Sequence, residues 1–591
     1  METSSVPSAC YPLTVLPGLS RLFVDYLAGE AKGMYATGPS GYSWMTAGAG
    51  DGRSAPDPSH RAALAELLEA QNHAWHAGPA TIANIAKLRT GARAVVTGQQ
   101  VGLFGGPLYT LLKAATAVRL AREASERTGL PHVPIFWLAT EDHDFAEVDH
   151  VALPTQPAQD LAGAPGAGSG LGFASSSASD FASEPTARAL TTIRLHDHDG
   201  ARSGAPVGAL RLGEGVLAAL AQAERALGAS LGAADSPEME LLRRSYRPDA
   251  TFAGAFAQWL SATFRDQGLI VLDAAGRAAH AMGASVLRRA ITEADQLETL
   301  LLARGQELES HGYHQQVLVK PGGSLLFLLT GEAENEPRVR LPLKRQPARP
   351  GNSAHWTAGQ QHYSSDELLR ILESEPERLS PNALLRPVFQ DSILPTAAYI
   401  GGPAEIAYFA QTAVLHRYLL GRETPVLPRL SATLLTAREA QTLEHDGIDL
   451  PEIFNLPQAE MLQRVGARNL PLAAKQKLHA AGTAMTVELD ALTDWMQALD
   501  PALGRSAQVA ASKMRYQMNR LRRLAAGREL QRNAGIARRI NSLYRTVYPG
   551  GHLQERSVAA AAALAQHGPA LVRALVEAAG GDCPGHKLLV L

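Results

Sequence analysis

The stretch that most limits the possible folds runs from residue 92 to residue 140. It opens with ARAVVTG (residues 92–98), a short apolar run closed by glycine. Such a run suits a strand buried on both faces. A glycine-rich turn, QQVGLFGGP, follows, and after Pro107 a helical pattern carries Leu108, Leu111, Leu112, Ala115 and Val118 on one face. A second buried strand, VPIFWLAT (133–140), comes next. Strand, crossover helix and strand in succession predict a parallel sheet covered on both faces, an α/β fold. FAGAFAQWLSATF and GLIVLDA add a further helix and strand, ending at Asp273. The sheet pattern resumes in LLRPVFQDSILPTAAYIGGP and in PVLPRL.

At 591 residues the chain is too long for one ordinary core, so several units are expected. Residues 1–435 read as the sheet-bearing core, with insertions at about 155–260 and 275–375, and residues 436–591 as a helical domain. Residues 57–88 read as helices interrupted near Gly78-Pro79. The Gly/Ala/Ser-rich segment 156–185 reads as a linker or mobile loop. TTIRLHDHDG and APVGALRLG look like short strands, and QQVLVKPGGSLLFLLTGE like a hairpin around Pro321-Gly322-Gly323. Late in the chain Leu489, Leu492, Met496 and Leu499 form one stripe, and Met514, Met518, Leu521 and Ala525 another. Two such stripes joined by a turn at Pro501 suggest an antiparallel coiled-coil hairpin; an ordinary helical bundle is the alternative.

Composition excludes several classes. A formal charge of −2 argues against a nucleic-acid-binding surface spanning the molecule. Cys10 and Cys583, near opposite ends, give neither a disulfide framework nor a metal-ligand spacing, which fits a reducing compartment. The first twenty residues lack the basic and apolar regions of a signal peptide, and no long apolar run suggests a membrane span. A cytoplasmic enzyme is the expectation.

Three clusters carry chemistry. GQQVGLFGGPLYTLLK (98–113) places two glycines before a proline that starts a helix. Glycine allows close approach to backbone N–H groups, and a helix start attracts anions. Lys113 lies within reach of a phosphate there, while Gln99 and Gln100 offer amides at the strand end. The glycine spacing matches neither a dinucleotide fingerprint nor a Walker loop, and a plain strand-to-helix turn is the alternative. YIGGPAEIAYF (399–409) repeats the arrangement, with Glu405 and Tyr408 near the helix start. Two such starts after strands of one sheet would line one crevice. TEDHDFAEVDH (140–150) sets Glu141, Asp142, His143 and Asp144 directly after a buried strand, where carboxylates hold an ammonium or Mg²⁺ and histidine moves a proton. A solvated acidic turn is the plainer reading. LHDHDG (195–200) resembles a metal motif but reads as an exposed turn. Between Lys513 and Arg545, ten cations face one acid, Glu529: a solvated helix face, or a surface for a phosphate-bearing or acidic partner.

VVTGQQVGLFGGPLYTLLKA, VPIFWLATEDHDFAEVDH, LRPVFQDSILPTAAYIGGPAEIAYFAQ and VYPGGHLQER together resemble the BshC family, the cysteine-adding enzymes of bacillithiol biosynthesis, over nearly the whole chain. The resemblance implies a Rossmann-like, nucleotidyltransferase-like core with inserted connecting segments and a C-terminal antiparallel coiled coil that makes a homodimer. It implies a ligase joining the carboxyl group of L-cysteine to the amine of glucosaminyl malate. Amide formation from a free carboxylate is uphill, so ATP is the expected activating reagent, with or without Mg²⁺. The acyl-adenylate-forming relatives of such a core carry H-x-G-H where this chain has Gly105-Gly106-Pro107-Leu108, and no K-M-S-K-S loop occurs here.

Carried onto these positions, Gly105, Gly106 and Lys113 would take the nucleotide. Gln99, Gln100, Tyr109, Gly401, Gly402, Glu405 and Tyr408 would bind substrate, and Glu141, Asp142, His143 and Asp144 would do the catalytic work. No metal site and no nucleic-acid or membrane partner is expected. The competing readings are a nucleotidyltransferase acting on another small acid and a non-catalytic, nucleotide-sensing coiled-coil scaffold.

Overall fold

A computed structural model describes residues 8–31, 33–35, 37–38, 42–46, 57–154, 190–196, 204–231, 236–330, 338–346, 355–581 and 583–591. Its central sheet has five strands: β1 (Arg93–Gln100), β2 (His132–Ala139), β3 (Ile270–Asp273), β4 (Thr396–Gly401) and β5 (Val426–Pro428). They lie in the order β5-β4-β1-β2-β3 and all pair in parallel. Alternate residues of β2 enter different cores, Val133, Ile135 and Trp137 on one face and Phe136 and Leu138 on the other. The sheet is therefore covered on both sides, as its apolar strands require.

Helix α1 (Tyr109–Thr128) crosses from β1 to β2 and ends on Gly129 in the left-handed conformation. Helix α2 (Pro403–Leu420) follows β4 in the same way and ends on Gly421. From β1 the chain winds outward through β2 to β3; β4 and β5 lie on the other side of β1. The order thus reverses between β1 and β4, leaving a crevice at their carboxyl ends. The outer edge of β3 is closed by side chains of the helix Pro58–Ala74. Asn72 exchanges two hydrogen bonds with Val271 and Gln71 two with Asp273, at 2.7–3.1 Å, in place of a sixth strand.

A second sheet, of five antiparallel strands, is built from residues 323–381. Here two expectations are corrected. Gly323–Thr330 is a strand, but residues 315–320 are not its hairpin partner; Val339–Gln346 is. Pro321 lacks an N–H, and Val317 is held instead by both amide groups of Gln411. The segment APVGALRLG forms a short turn at Val207–Ala209 rather than a strand. It caps the end of β2, with Val207 N–H donating to Asp142 O and Gly208 N–H to Thr140 O. A Cβ at Gly208 would lie 2.3 Å from Thr140, so this approach needs glycine. The 156–185 segment and most of LHDHDG lie outside the described residues.

The C-terminal region returns to the core. Strand His586–Val590 pairs in parallel with Ser431–Leu435 and antiparallel with Ser8–Tyr11, joining both ends of the chain in one small sheet. Cys10 and Cys583 form a disulfide there, Cα–Cα 6.0 Å, where no disulfide was expected. Sequence distance says nothing of spatial distance once the termini share a sheet.

Helices α3 (Leu472–Leu499) and α4 (Pro501–Arg532) form the antiparallel hairpin. Asp500 caps α4 by accepting from the Ala502 and Leu503 N–H groups. The apolar stripes divide between two directions. Gly482, Leu489 and Met496 on α3, and Gly504, Ala511, Met518 and Ala525 on α4, recur every seven residues and are buried or half-buried. Leu492, Leu499, Met514 and Leu521 remain 50–59 % exposed.

Candidate functional site

The crevice between β1 and β4 opens into a cavity of about 460 Å³. Its floor is built on the two quoted turns. Gly98, opposite Trp137 in register, lets β1 and β2 pack closely; a Cβ there would meet Trp137 O at 2.8 Å. Beyond it Gln99 and Gln100 turn into the cavity. Gln99 donates to Tyr109 Oη (3.1 Å) and accepts from Lys113 Nζ (2.9 Å).

Lys113 is buried, and its ammonium also contacts Gly98 O at 2.8 Å and Glu405 Oε2 at 2.5 Å. Three donors meet three acceptors, so the lysine ties β1 to the start of α2. Glu405 further accepts from Gly402 N–H (2.8 Å) and Tyr399 Oη (2.6 Å). Burial alone would push its carboxyl up, but Lys113 and the Gly402 N–H hold it below its ordinary value. Burial raises the Tyr109 phenol, and it pushes Tyr408 up to about 12. Both stay neutral hydrogen-bonding groups at physiological pH.

One wall is acidic. The Gln100 amide donates to Asp142 Oδ2 (2.8 Å) and to Glu147 Oε2 (2.5 Å), bridging the two carboxylates. Partial burial works against the charge on Asp142, but Gln100, the His143 N–H at 2.7 Å and Arg340 outweigh it and lower its pKa. The opposite wall is cationic, with Arg386, Arg429 and Arg556. Arg386 donates to Tyr408 Oη (2.8 Å) and Gln390 (3.3 Å). Arg429 is gripped by Glu555 through two contacts, 2.6 and 3.1 Å, and its guanidinium lies 5.6 Å from the Tyr109 ring centre. Arg556 is exposed and makes no ion pair among the described residues.

Of the residues singled out in the sequence, Gln99, Gln100, Tyr109, Lys113, Asp142, Gly402, Glu405 and Tyr408 line this cavity. Gly401 lines a neighbouring one. Glu141, His143 and Asp144 do not line it. Glu141 Oε1 lies 3.0 Å from Nε2 of the buried His280, an ion pair off the line of a good hydrogen bond. His143 is 42 % exposed and points to Arg340 and Phe327. Asp144 faces solvent. Gly105 and Gly106 are closed off as well. A Cβ at Gly105 would strike the Trp259 ring at 2.3 Å, and its N–H is taken by Tyr246 Oη at 2.8 Å. The Leu108 N–H donates to Val558 O, and Gly106 O accepts from Ala560. The first helix start thus has a protein segment where a ligand was expected.

The arginines, Glu147, Trp137 and Tyr399 were missed. Arg429 follows the strand in PVLPRL and Arg386 opens a helix in LLRPVF, so their positions at element ends were the available signal.

This geometry can be set beside known proteins. Residues 9–170 and 180–430 match the family described as Bacillithiol biosynthesis BshC, N-terminal Rossmann-like domain. Residues 432–591 match Bacillithiol biosynthesis BshC, C-terminal coiled-coil domain. The chain belongs to the BshC family. A relative from Koribacter versatilis, named "Putative cysteine ligase BshC", is 39 % identical over 98 % of this chain and 99 % of its own. Relatives of the same name from Solibacter usitatus and Salinibacter ruber are 34 % and 29 % identical. The first alignment covers 90 % of each chain, the second 98 % of this chain and 97 % of the relative. The BshC match includes the strands, turns and helices that build the cavity. Among the described residues no cluster of three or more histidine, cysteine or carboxylate side chains is arranged to hold a metal ion.

Proposed function

We propose that this protein is the ligase of bacillithiol biosynthesis that joins the carboxyl group of L-cysteine to the amine of glucosaminyl malate, with ATP activating the carboxyl group. The observation that carries this reading is the two-signed cavity at the reversal of strand order, where open α/β sheets bind small molecules. Asp142, held anionic and bridged to Glu147 by Gln100, suits the ammonium group of an amino-sugar conjugate. Arg386 and the exposed Arg556 suit carboxylates, of which malate carries two. Gln99 and Tyr109 lie between these walls and orient a polar substrate.

ATP would supply the leaving group that makes amide formation favourable. The Gly105–Pro107 turn does not fit its phosphates, because Trp259 and the Val558–Ala560 segment occupy the approach. Arg386, Arg429 and Arg556 are the arginines that face the cavity. Asp142 and Glu147 provide the hard oxygen ligands a magnesium ion takes. The names of the relatives favour a ligase over the nucleotidyltransferase and scaffold readings.

The proposal extends to assembly and place. Leu492, Trp495, Leu499, Met514 and Leu521 expose apolar side chains along the coil, and a second copy covering them makes a homodimer. No described helix is long and apolar enough to cross a membrane. We place the enzyme in the cytoplasm.

Incubating the protein with glucosaminyl malate, cysteine and ATP, and measuring the condensed thiol by mass spectrometry, tests the reaction. The proposal expects product that requires all three reagents. Folded protein and intact reagents without product would contradict it.

A further inference from the structure

Cys10 sits in the four-residue N-terminal strand, at the outer edge of its sheet. Three positions later the chain turns inward. Leu13, Leu16, Pro17, Gly18, Leu19 and Phe23 form one side of a second cavity, about 300 Å³ in volume. Across it lie Pro403, Arg429 and Arg556, which also face the main cavity. The N-terminal segment is therefore the outer wall of a chamber that shares a partition with the candidate site.

Leu13, Leu16 and Phe23 of that wall are buried in the main core, but the strand that leads into it has few ties besides the disulfide. The strand makes four register pairs with His586–Val590, and Tyr11 Oη donates to Asp449 at 2.8 Å. As an edge strand it is paired on one side only. The seat is nonetheless closely fitted. A Cβ at Gly585 would lie 2.0 Å from Tyr11 O and 3.3 Å from Cys10 Sγ, so the turn before the last strand lies flat against Tyr11 only as glycine. The two cysteines are thus brought together by backbone fit as well as by their bond. Cys10 is exposed and Cys583 half-buried, which favours attack at Cys10. In a reducing compartment an accessible disulfide is a transient state rather than a permanent staple.

We propose that the Cys10–Cys583 pair is an exchange site for small aliphatic thiols, and that opening it loosens residues 8–12, the strand that leads into the outer wall of the second cavity. A thiolate attacks Cys10 Sγ; the protein S–S bond breaks and Cys583 leaves as a thiolate that takes a proton. A second thiolate then attacks the small-molecule sulfur of the mixed disulfide. The products are the symmetrical small disulfide and the Cys10 thiol. Two thiols supply the two electrons, and excess small disulfide runs the sequence backward. This inference concerns the wall and not the ligation chemistry, so its failure leaves the proposed reaction untouched.

The test equilibrates the full chain at graded cysteine-to-cystine ratios. Alkylation and peptide mass spectrometry then read the Cys10 and Cys583 thiols, while hydrogen–deuterium exchange reads residues 8–12. The expected result is a cysteine adduct on Cys10 with a free Cys583 thiol at intermediate ratios, and both thiols free at the most reducing ones. Exchange in residues 8–12 should rise on the order of tenfold while α1 stays unchanged. The Cys10→Ser/Cys583→Ser double variant should show the faster exchange at every ratio. Two free thiols at every ratio, or a reversible bond whose opening leaves exchange in residues 8–12 unmoved, would overturn the proposal. The wild-type titration answers the question even if the variant folds poorly.

Discussion

Lys113 looked from the sequence like a phosphate ligand, two helical turns past a glycine-rich start. In the structure its three N–H donors are committed to Gly98 O, Gln99 Oε1 and Glu405 Oε2. Its work is to hold both halves of the site in place. Lys113→Met would leave Glu405 charged beside an apolar side chain, with only the Gly402 N–H and Tyr399 Oη for company. Breaking a buried pair in this way costs about 3–5 kcal/mol, which urea unfolding would read. Adding Glu405→Gln should restore most of it. Unchanged stability with lost substrate binding would instead make the lysine a ligand group. The same distinction explains Gly105. Its glycine was legible and its reason was not, because Trp259, which fills the space above it, stands 154 positions away in sequence.

At the scale of elements, β3 is the clearest case of a strand completed by side chains. Asn72→Leu keeps the bulk but strips two hydrogen bonds from Val271, leaving a buried N–H and C=O unpaired. The expected loss is about 1–3 kcal/mol per orphaned group, measured as a shift in the denaturation midpoint. The strands β1 and β2 and helix α1 were legible because each buries a continuous apolar run or stripe, a signal carried within a dozen residues. The APVGALRLG turn and the failed hairpin at Pro321 were not, since their partners, Thr140 and Gln411, are distant in sequence. The coil lay between these cases. Its seven-residue repeat was plain, but which repeat faces the sister helix depends on small residues such as Gly482, Gly504 and Ala511 that permit close approach. The stripe left outside carries the dimer proposal. Leu492→Glu with Trp495→Glu should convert a dimer to monomers in sedimentation velocity without altering the helix content. A wild-type chain that already sediments as a monomer would contradict that arrangement.

Taken whole, the molecule is closed by its ends, and the closure contains a titrating group. His586, on the last strand, is buried between Ser431 (2.8 Å) and Thr433 (2.9 Å), and burial lowers its pKa to about 4. The unfolded chain, with histidine near 6.5, therefore binds more protons than the folded one between those values. Stability from this group is complete above pH 6.5 and falls as pH drops toward 4, by up to about 1.4 kcal/mol per pH unit across that window. The thermal midpoint should hold level from pH 7.5 to about 6.5 and decline from there to 4.5, and a profile flat over the whole range would contradict the assignment. The candidate site is assembled on the same scale: Gln100 and Asp142 come from the first third of the chain, Arg386 and Glu405 from the middle, and Arg556 from near the end. Sequence motifs located the turns, but only the folded chain sets acids on one wall and arginines on the other. Calorimetric titration of glucosaminyl malate into the wild type, Glu147→Gln and Arg386→Gln tests that division most directly. The account predicts measurable binding to the wild type and affinity at least roughly tenfold weaker in each variant, the loss of one charge-assisted contact. Equal binding by all three proteins would contradict it.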